Sequence, residues 1–225
     1  MRLVRGGLRF LLAALFRVKV SGLSNLPAGS AGYVLVGAPH RNWVEPLLMH
    51  AYVAPRGRRV VTVADARAIA GSGLRRTAAR AVGGVIPVGP GAAQPPIERV
   101  RAAASVMSAG DVLLIFPEIG GPTRPPELRP ISAGVGHMAA RAKSVVVPVA
   151  FGGTDELYLG RRIEIRVLPP VAPPPDARRT TIHEWTVSLR ESVQSAATDA
   201  HERANAAVPV RKRWRWLTGN YPRME

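Results

Sequence analysis

An apolar run that ends at a Gly-Ala-Pro break is the feature that most constrains how this chain can fold. The run covers 33–36, and four consecutive strand-compatible residues before such a break predict a buried strand. A loop with His40 follows, and Glu45 and Pro46 then precede an apolar segment over 47–53 that predicts a helix. Proline is tolerated in a first helical turn, because the N–H that it lacks would have no partner there. A strand, a loop and a helix in this order are the repeating unit of an α/β protein.

Further strands and helices alternate along the chain. Strands are predicted over 58–63, 85–88, 111–116, 144–151 and 163–168, the last of them antiparallel and at an edge. Helices are predicted over 65–82, 97–109, 133–143 and 181–206. This alternation predicts an α/β fold with a mixed, mostly parallel sheet flanked by helices. We expect one α/β domain over 21–170, preceded by a helix over 1–20 and followed by a linker, a C-terminal helix and a basic tail over 171–225.

His40 and Glu45 supply the chemistry at the end of the first strand. Sites in such sheets collect at the carboxyl ends of strands, and the turn brings the carboxylate back towards the imidazole. A carboxylate on one ring nitrogen fixes the tautomer, so the other nitrogen can take a proton from a hydroxyl. A histidine near an acid is more commonly a surface or loop histidine, and these residues alone leave that alternative open.

Charge and composition limit the classes of partner and cofactor. The 225 residues suffice for one substantial core, and the absence of cysteine excludes disulfides and thiolate metal sites. The net charge of +16 comes almost entirely from arginine and implies an acidic partner: anionic lipid, a phosphate-bearing substrate or nucleic acid. No group of His, Asp and Glu has metal-site spacing, and no phosphate-binding loop or dinucleotide fingerprint occurs, so we expect no metal.

Both ends of the chain combine basic and apolar residues. Residues 1–20 predict an amphipathic helix with Val4, Leu8, Leu11 and Leu15 on one face, too interrupted by arginine to span a bilayer. An interfacial helix on an anionic membrane is favoured, while a secretory signal and a helix packed on the domain stay open. The tail has RKRWRW at 211–216, which suits a membrane interface, stacking on single-stranded nucleic acid, or packing on the domain.

Four fragments of the sequence occur in an order that resembles a known family. They are PHRNWVE at 39–45, GVIPVGP at 84–90, FPEIGGPTR at 116–124 and VVVPVAFGG at 145–153. The glycerolipid acyltransferases of the bacterial 1-acyl-glycerol-3-phosphate acyltransferase type carry N-H-x-S-x-x-D, G-x-I-P-V-x-R, F-P-E-G-T-R-S and V-V-P-V in the same order. The resemblance covers about residues 18–170, and the shared order makes it specific.

The resemblance implies an O-acyltransferase that moves a fatty acyl group from acyl-CoA or acyl carrier protein to the hydroxyl of a lipid-like acceptor, with no cofactor. In that family the histidine is the general base and the acid holds it, which assigns these roles to His40 and Glu45. The substrate-binding residues implied are Glu118, Gly120, Gly121, Thr123 and Arg124. A peripheral location on the cytoplasmic face of the cell membrane is expected.

The sequence also departs from the family at three places. Glu45 replaces the family's Asp, Pro90 replaces the arginine that binds the acceptor phosphate, and Ile119 interrupts the third box. A glycolipid, a lysophospholipid or another lipid-like alcohol therefore fits as acceptor at least as well as lysophosphatidic acid. A non-catalytic lipid-binding relative is the runner-up hypothesis, and a basic nucleic-acid-binding protein ranks third.

Overall fold

A mixed sheet of seven strands forms the centre of the computed structural model. The structure describes residues 2–67, 83–121 and 123–206, and for residues 2 and 3 it describes only the backbone. The strands in these ranges are β1 (Phe16–Ser21), β2 (Tyr33–Ala38), β3 (Val60–Asp65), β4 (Val85–Val88), β5 (Val112–Ile115), β6 (Val146–Gly152) and β7 (Arg161–Val167). They lie in the order β1-β7-β6-β2-β5-β3-β4, and every neighbouring pair is parallel except β6 with β7. The predicted α/β fold with a mostly parallel sheet is confirmed.

Helices cover both faces of this sheet. They are α1 (Arg2–Leu15), α2 (Val44–Leu48, continued by a π-helical turn over Met49–Val53), α3 (Pro96–Ser108), α4 (Ala133–Ala142) and α5 (Arg179–Ala206). Alternate side chains of β2 point to opposite faces of the sheet. Val34 and Val36 pack in the core with α3, α4 and α5. Tyr33 and Leu35 pack in the core with α1 and α2. Burial on both faces explains why β2 is a continuous apolar run in the sequence.

The strand, loop and helix predicted around His40 are confirmed. β2 ends at Ala38, and α2 begins at Val44, slightly earlier than the sequence indicated. Pro46 is the third residue of α2 and therefore lies in its first turn, where the missing N–H leaves no hydrogen bond broken. The loop 39–43 is thus held between a buried strand and a short helix.

The helix predicted over 1–20 is wrong in its extent. It ends at Leu15, and residues 16–21 form β1, which pairs in parallel with β7. The sequence FRVKVS alternates apolar and polar residues, a strand pattern that the helical periodicity of the preceding segment obscured. Because β1 covers β7, the edge position predicted for β7 is also wrong, although its antiparallel pairing with β6 is as expected.

The buried face of α1 agrees with the predicted one only in part, since Leu8 and Leu15 pack on the core but Val4 and Leu11 do not. Leu12 is 2% exposed and packs into the core with Leu8 and Leu15 beside it, whereas Val4 and Leu11 of the predicted apolar face are 49% and 55% exposed. The reason is that α1 lies against α2 and the π-helical turn, and this contact centres the buried face on Leu12. No helix among the described residues is long and apolar enough to cross a bilayer.

Two predicted segments lie outside the described residues. One is the helix over 65–82, of which the described part ends at residue 67. The other is the basic tail, since the described chain ends at residue 206. The C-terminal helix before that tail is present as predicted, and it packs on β6 and β7.

Candidate active site

The carboxylate of Glu45 is the buried centre of the loop that follows β2. Its side chain is completely buried at the start of α2. The backbone N–H of Arg41 donates to both carboxylate oxygens at 2.8 and 2.9 Å, and the N–H of Asn42 donates at 3.0 Å. Hydrogen bonds from backbone donors stabilise the ionised form of a carboxylate. The loop therefore wraps around a buried negative charge.

His40 contacts this carboxylate through one ring nitrogen. The distance from Nδ1 to Glu45 Oε2 is 2.7 Å, so the predicted contact is confirmed. Since a carboxylate only accepts hydrogen bonds, Nδ1 carries the proton and Nε2 keeps a lone pair. The ring packs against Phe116 with centroids 4.5 Å apart, and the side chain is 33% exposed. No described residue bonds Nε2, so a substrate hydroxyl can approach it.

Glu118 connects the loop after β5 to the loop of His40. Its side chain is 1% exposed, and one carboxylate oxygen accepts the backbone N–H of His40. The other oxygen accepts the backbone N–H of Arg129 at 2.8 Å. The Arg129 guanidinium in turn donates to the carbonyl oxygen of His40 at 2.7 Å. The two loops that the sequence placed at one edge of the sheet are therefore in direct contact.

Arg41 adds a second connection between the same loops. Its guanidinium donates to the carbonyl oxygen of Thr123 at 2.9 Å and to that of Glu127. Burial lowers the pKa of Arg41, and the nearby Glu118 carboxylate opposes this effect. Arginine stays charged even so, because its ordinary pKa is far above neutral pH.

The remaining predicted residues lie along the tip of the loop after β5. Gly120 has φ 97° and is exposed, as is Gly121, and a Cβ at either position would meet nothing within 4 Å. The Thr123 hydroxyl donates to the carbonyl oxygen of Glu127 at 2.8 Å. Arg124 is exposed, and its guanidinium has no partner among the described residues. Whether these residues contact substrate stays a prediction.

The segment that resembles the family's second box forms β4 and the turn after it. β4 is an edge strand, separated from β2 by β3 and β5. Pro90 is exposed just beyond its end. A proline there offers no cation, so the positive charge next to His40 comes from Arg41 and Arg129 instead.

Sequence reasoning missed Arg41 and Phe116 as parts of this site. Both stand next to a predicted element, since Arg41 follows His40 directly and Phe116 opens the third box. Their position was visible, but their contacts were not, because each reaches a partner about 80 residues away in the chain. Among the described residues, no group of three or more potential metal-ligating side chains is close enough together to hold an ion.

A family model described as Acyltransferase matches residues 17–152, a range that begins within β1 and ends with β6. It therefore includes both loops described above. No curated protein matches the chain.

The fold is similar to that of a solved structure. This is the crystal structure of PlsC, the 1-acyl-sn-glycerophosphate (LPA) acyltransferase from Thermotoga maritima, with a TM-score of 0.62 and 17% sequence identity. The match covers 86% of this chain and 80% of that one. At this identity the likeness concerns the fold.

Proposed function

The chain belongs to the acyltransferase family, and on that premise we propose that it transfers a fatty acyl group from an acyl thioester to the hydroxyl of a lysophospholipid or another lipid-like acceptor. The observation that carries this proposal is the His40 ring, with Nδ1 bonded to a buried carboxylate and Nε2 free of partners among the described residues. The lipid substrate named for the similar PlsC structure supports an acceptor of this class.

In the proposed reaction His40 acts as general base. Nε2 accepts the proton of the acceptor hydroxyl while the oxygen attacks the thioester carbonyl carbon. The tetrahedral intermediate then expels the thiolate as the C–S bond breaks, and the thiolate takes the proton from the imidazolium. Glu45 holds the ring and balances its positive charge during the transfer. Acyl-CoA and acyl carrier protein both supply such a thioester, and no cofactor is needed.

Arg124 is the residue we assign to the acceptor's polar head. It is exposed, unpaired in the described part of the chain, and located on the loop that contacts His40 through Glu118. Arginine forms bidentate pairs with phosphate, which suits a phosphorylated acceptor. The exposed Gly120 and Gly121 next to it leave backbone N–H groups accessible to the same group.

We also assign the protein a peripheral position on the cytoplasmic face of the membrane. Phe10 of α1 is 78% exposed, and Leu11 and Val4 are about half exposed beside it. Apolar side chains exposed along one face of a helix with basic residues are typical of interfacial helices. An enzyme in this position would meet a lipid acceptor without extracting it from the bilayer.

The test is release of free thiol from acyl-CoA in the presence of lipid acceptors, with the acylated products identified by mass spectrometry. We expect turnover with a lysophospholipid or glycolipid, and a fall of about 10²–10⁴-fold in His40→Ala. Since His40 is a partly exposed loop residue, the melting temperature of the variant should stay close to that of the parent. Undiminished turnover in a folded His40→Ala protein would rule out the assignment.

His183→Ala serves as the matched control. His183 is an exposed histidine of α5, and no function has been assigned to it. Its replacement should leave thiol release unchanged.

A further inference from the structure

A second polar cavity lies at the end of the sheet where β3 begins, opposite the end that carries His40. It is an open groove of about 1230 Å³ between α1, the π-helical turn and the chain that leads into β3. Arg58 and Arg59, which line it, directly precede β3, whereas His40 follows the carboxyl end of β2. The two ends of the sheet are about 20 Å apart, because β2 and β3 are each six residues long. The groove is thus distinct from the proposed reaction site.

The charge of the groove is strongly positive. Its lining includes five arginines and a single acid, Asp111, which pairs with Arg59 at 2.9 Å. Arg58 is occupied as well, because its guanidinium donates to backbone carbonyl oxygens, including that of Ala31 at 2.7 Å. The other lining arginines, Arg5, Arg9 and Arg56, form no ion pair with an acid in the described part of the chain.

Arg5 and His50 provide unpaired polar atoms at this groove. Arg5 Nη1 donates to the carbonyl oxygen of Pro55 at 2.6 Å, but its Nε and Nη2 are buried and have no partner in the described part of the chain. His50 is 3% exposed; its Nε2 lies 3.0 Å from the Thr62 hydroxyl, and its buried Nδ1 contacts no polar group of the described residues. Buried polar groups are normally paired, so a groove with several unpaired donors suits a ligand that carries acceptor atoms.

The unpaired atoms favour an anion as that ligand. Arginine nitrogens only donate, and His50 Nδ1 donates when the Thr62 hydroxyl donates to Nε2. The groove therefore offers several donors and one acid already neutralised by an arginine. A phosphate group, with several acceptor oxygens and negative charge, matches this set.

We propose that this groove binds a phosphate group, separately from the site of acyl transfer. The inference rests on the donors of the groove and holds whether or not the proposed reaction is correct. A phospholipid headgroup and a soluble phosphate ester carry the same group. Phe10 directly follows Arg9 on α1 and is 78% exposed, so it places apolar surface next to the groove, as a headgroup joined to acyl chains requires.

The experiment compares vesicle binding of the full chain and of three variants. The vesicles are phosphatidylcholine alone and phosphatidylcholine with phosphatidylglycerol, at fixed salt. Arg5→Met removes a groove cation, His50→Leu removes a groove donor without changing the net charge at neutral pH, and Arg17→Met removes an exposed cation of β1 outside the groove. Far-UV circular dichroism checks that each variant is folded.

We expect Arg5→Met and His50→Leu each to weaken binding to the anionic vesicles by about tenfold, and Arg17→Met by less than about twofold. A second arm titrates inorganic phosphate and glycerol 3-phosphate into the parent protein while the ring nitrogen signals of His50 are followed by NMR. A shift of these signals with soluble phosphate, together with equal vesicle binding by all variants, would assign the site to a soluble phosphate ester.

Equal losses in the two arginine variants, with no loss in His50→Leu and no shift of the His50 signals, would overturn the proposal. The groove would then contribute only to the general positive charge of the protein. The NMR arm uses the unmodified chain, so it decides the question even where a variant fails to fold. Thiol release from acyl-CoA, measured in parallel, distinguishes failure of this inference from failure of the proposed reaction.

Discussion

Glu45 contacts one ring nitrogen of His40 and leaves the other without a partner among the described residues. Its carboxylate is fully buried and accepts hydrogen bonds from the His40 ring and from two backbone N–H groups. We expect Glu45→Gln to lower turnover by about 10²–10⁴-fold, because a neutral amide no longer balances the positive charge that the His40 ring gains when it accepts a proton. Steady-state thiol release measures this effect.

The same substitution should lower the free energy of unfolding by about 1–3 kcal/mol, since one carboxylate oxygen is replaced by a group that cannot accept the backbone donors. Glu45→Asp is the matched control, because it keeps the charge and shortens the side chain by one methylene. It should retain more activity than Glu45→Gln, and the reverse order would contradict the role assigned to the charge.

Arg124 and Arg129 are five residues apart but differ in what they contact. Arg124 is exposed and unpaired in the described part of the chain, whereas Arg129 bonds the His40 carbonyl oxygen. We therefore expect Arg124→Gln to raise KM for a phosphorylated acceptor by about tenfold with kcat and melting temperature little changed. Arg129→Gln should instead lower kcat, because it releases the loop that positions the base. Steady-state kinetics with the acceptor varied separates the two.

Helix α1 packs some of its apolar side chains on the domain and exposes others. Leu12 is buried in the core, whereas Phe10 and Leu11 are exposed. We expect Phe10→Ser with Leu11→Ser to weaken vesicle binding by about tenfold or more, since each side chain loses apolar contact worth about 1.5–3 kcal/mol when fully buried. Co-sedimentation with vesicles measures this, and thermal unfolding should be little affected.

Leu12→Ala is the opposite case on the same helix. It should lower the free energy of unfolding by about 2–5 kcal/mol, the usual range for a buried leucine. Its vesicle binding, measured where the variant remains folded, should match that of the parent. Equal vesicle binding by the Phe10 and Leu11 variant and the parent would remove the support for an interfacial helix.

For the molecule as a whole, the buried His50 couples folding to pH. Burial and the nearby Arg5 lower its pKa from 6.5 to about 4, so the folded protein holds this ring neutral. Between these two values the unfolded chain binds more protons than the folded one, and the stability falls as the pH falls. The loss attributable to His50 is about 3 kcal/mol by pH 4, with none above about pH 7.

Urea unfolding at a series of pH values checks this, with His50→Gln as the comparison. The difference in unfolding free energy between parent and variant should change between pH 7 and pH 4 and be constant above pH 7. Carboxylates that titrate in the same range affect both proteins and cancel in the difference. A difference independent of pH would show that His50 does not carry the effect.

Local contacts were predictable from the sequence, and distant ones were not. The pair of His40 and Glu45 could be inferred because five residues across one strand end and one helix start leave few conformations. The bonds from Glu118 to the His40 loop and from Arg41 to Thr123 join residues about 80 positions apart, and no local pattern encodes them. The alternation in β1 was a local signal, but its pairing with β7 joins residues about 145 positions apart and could not be read from it.

The order of apolar segments and breaks in the chain was enough to indicate an α/β fold, the boxes shared with the acyltransferases and the position of a base beside an acid. These properties depend on periodicity and short-range spacing, which can be read directly from the amino-acid sequence. Packing decided which side chains of α1 are buried and which strands lie at the edges of the sheet. It also decided how several arginines, His50 and the turn before β3 form a second polar groove. Such outcomes depend on which surfaces meet in three dimensions, where burial and close packing select one arrangement among several that the same sequence pattern permits.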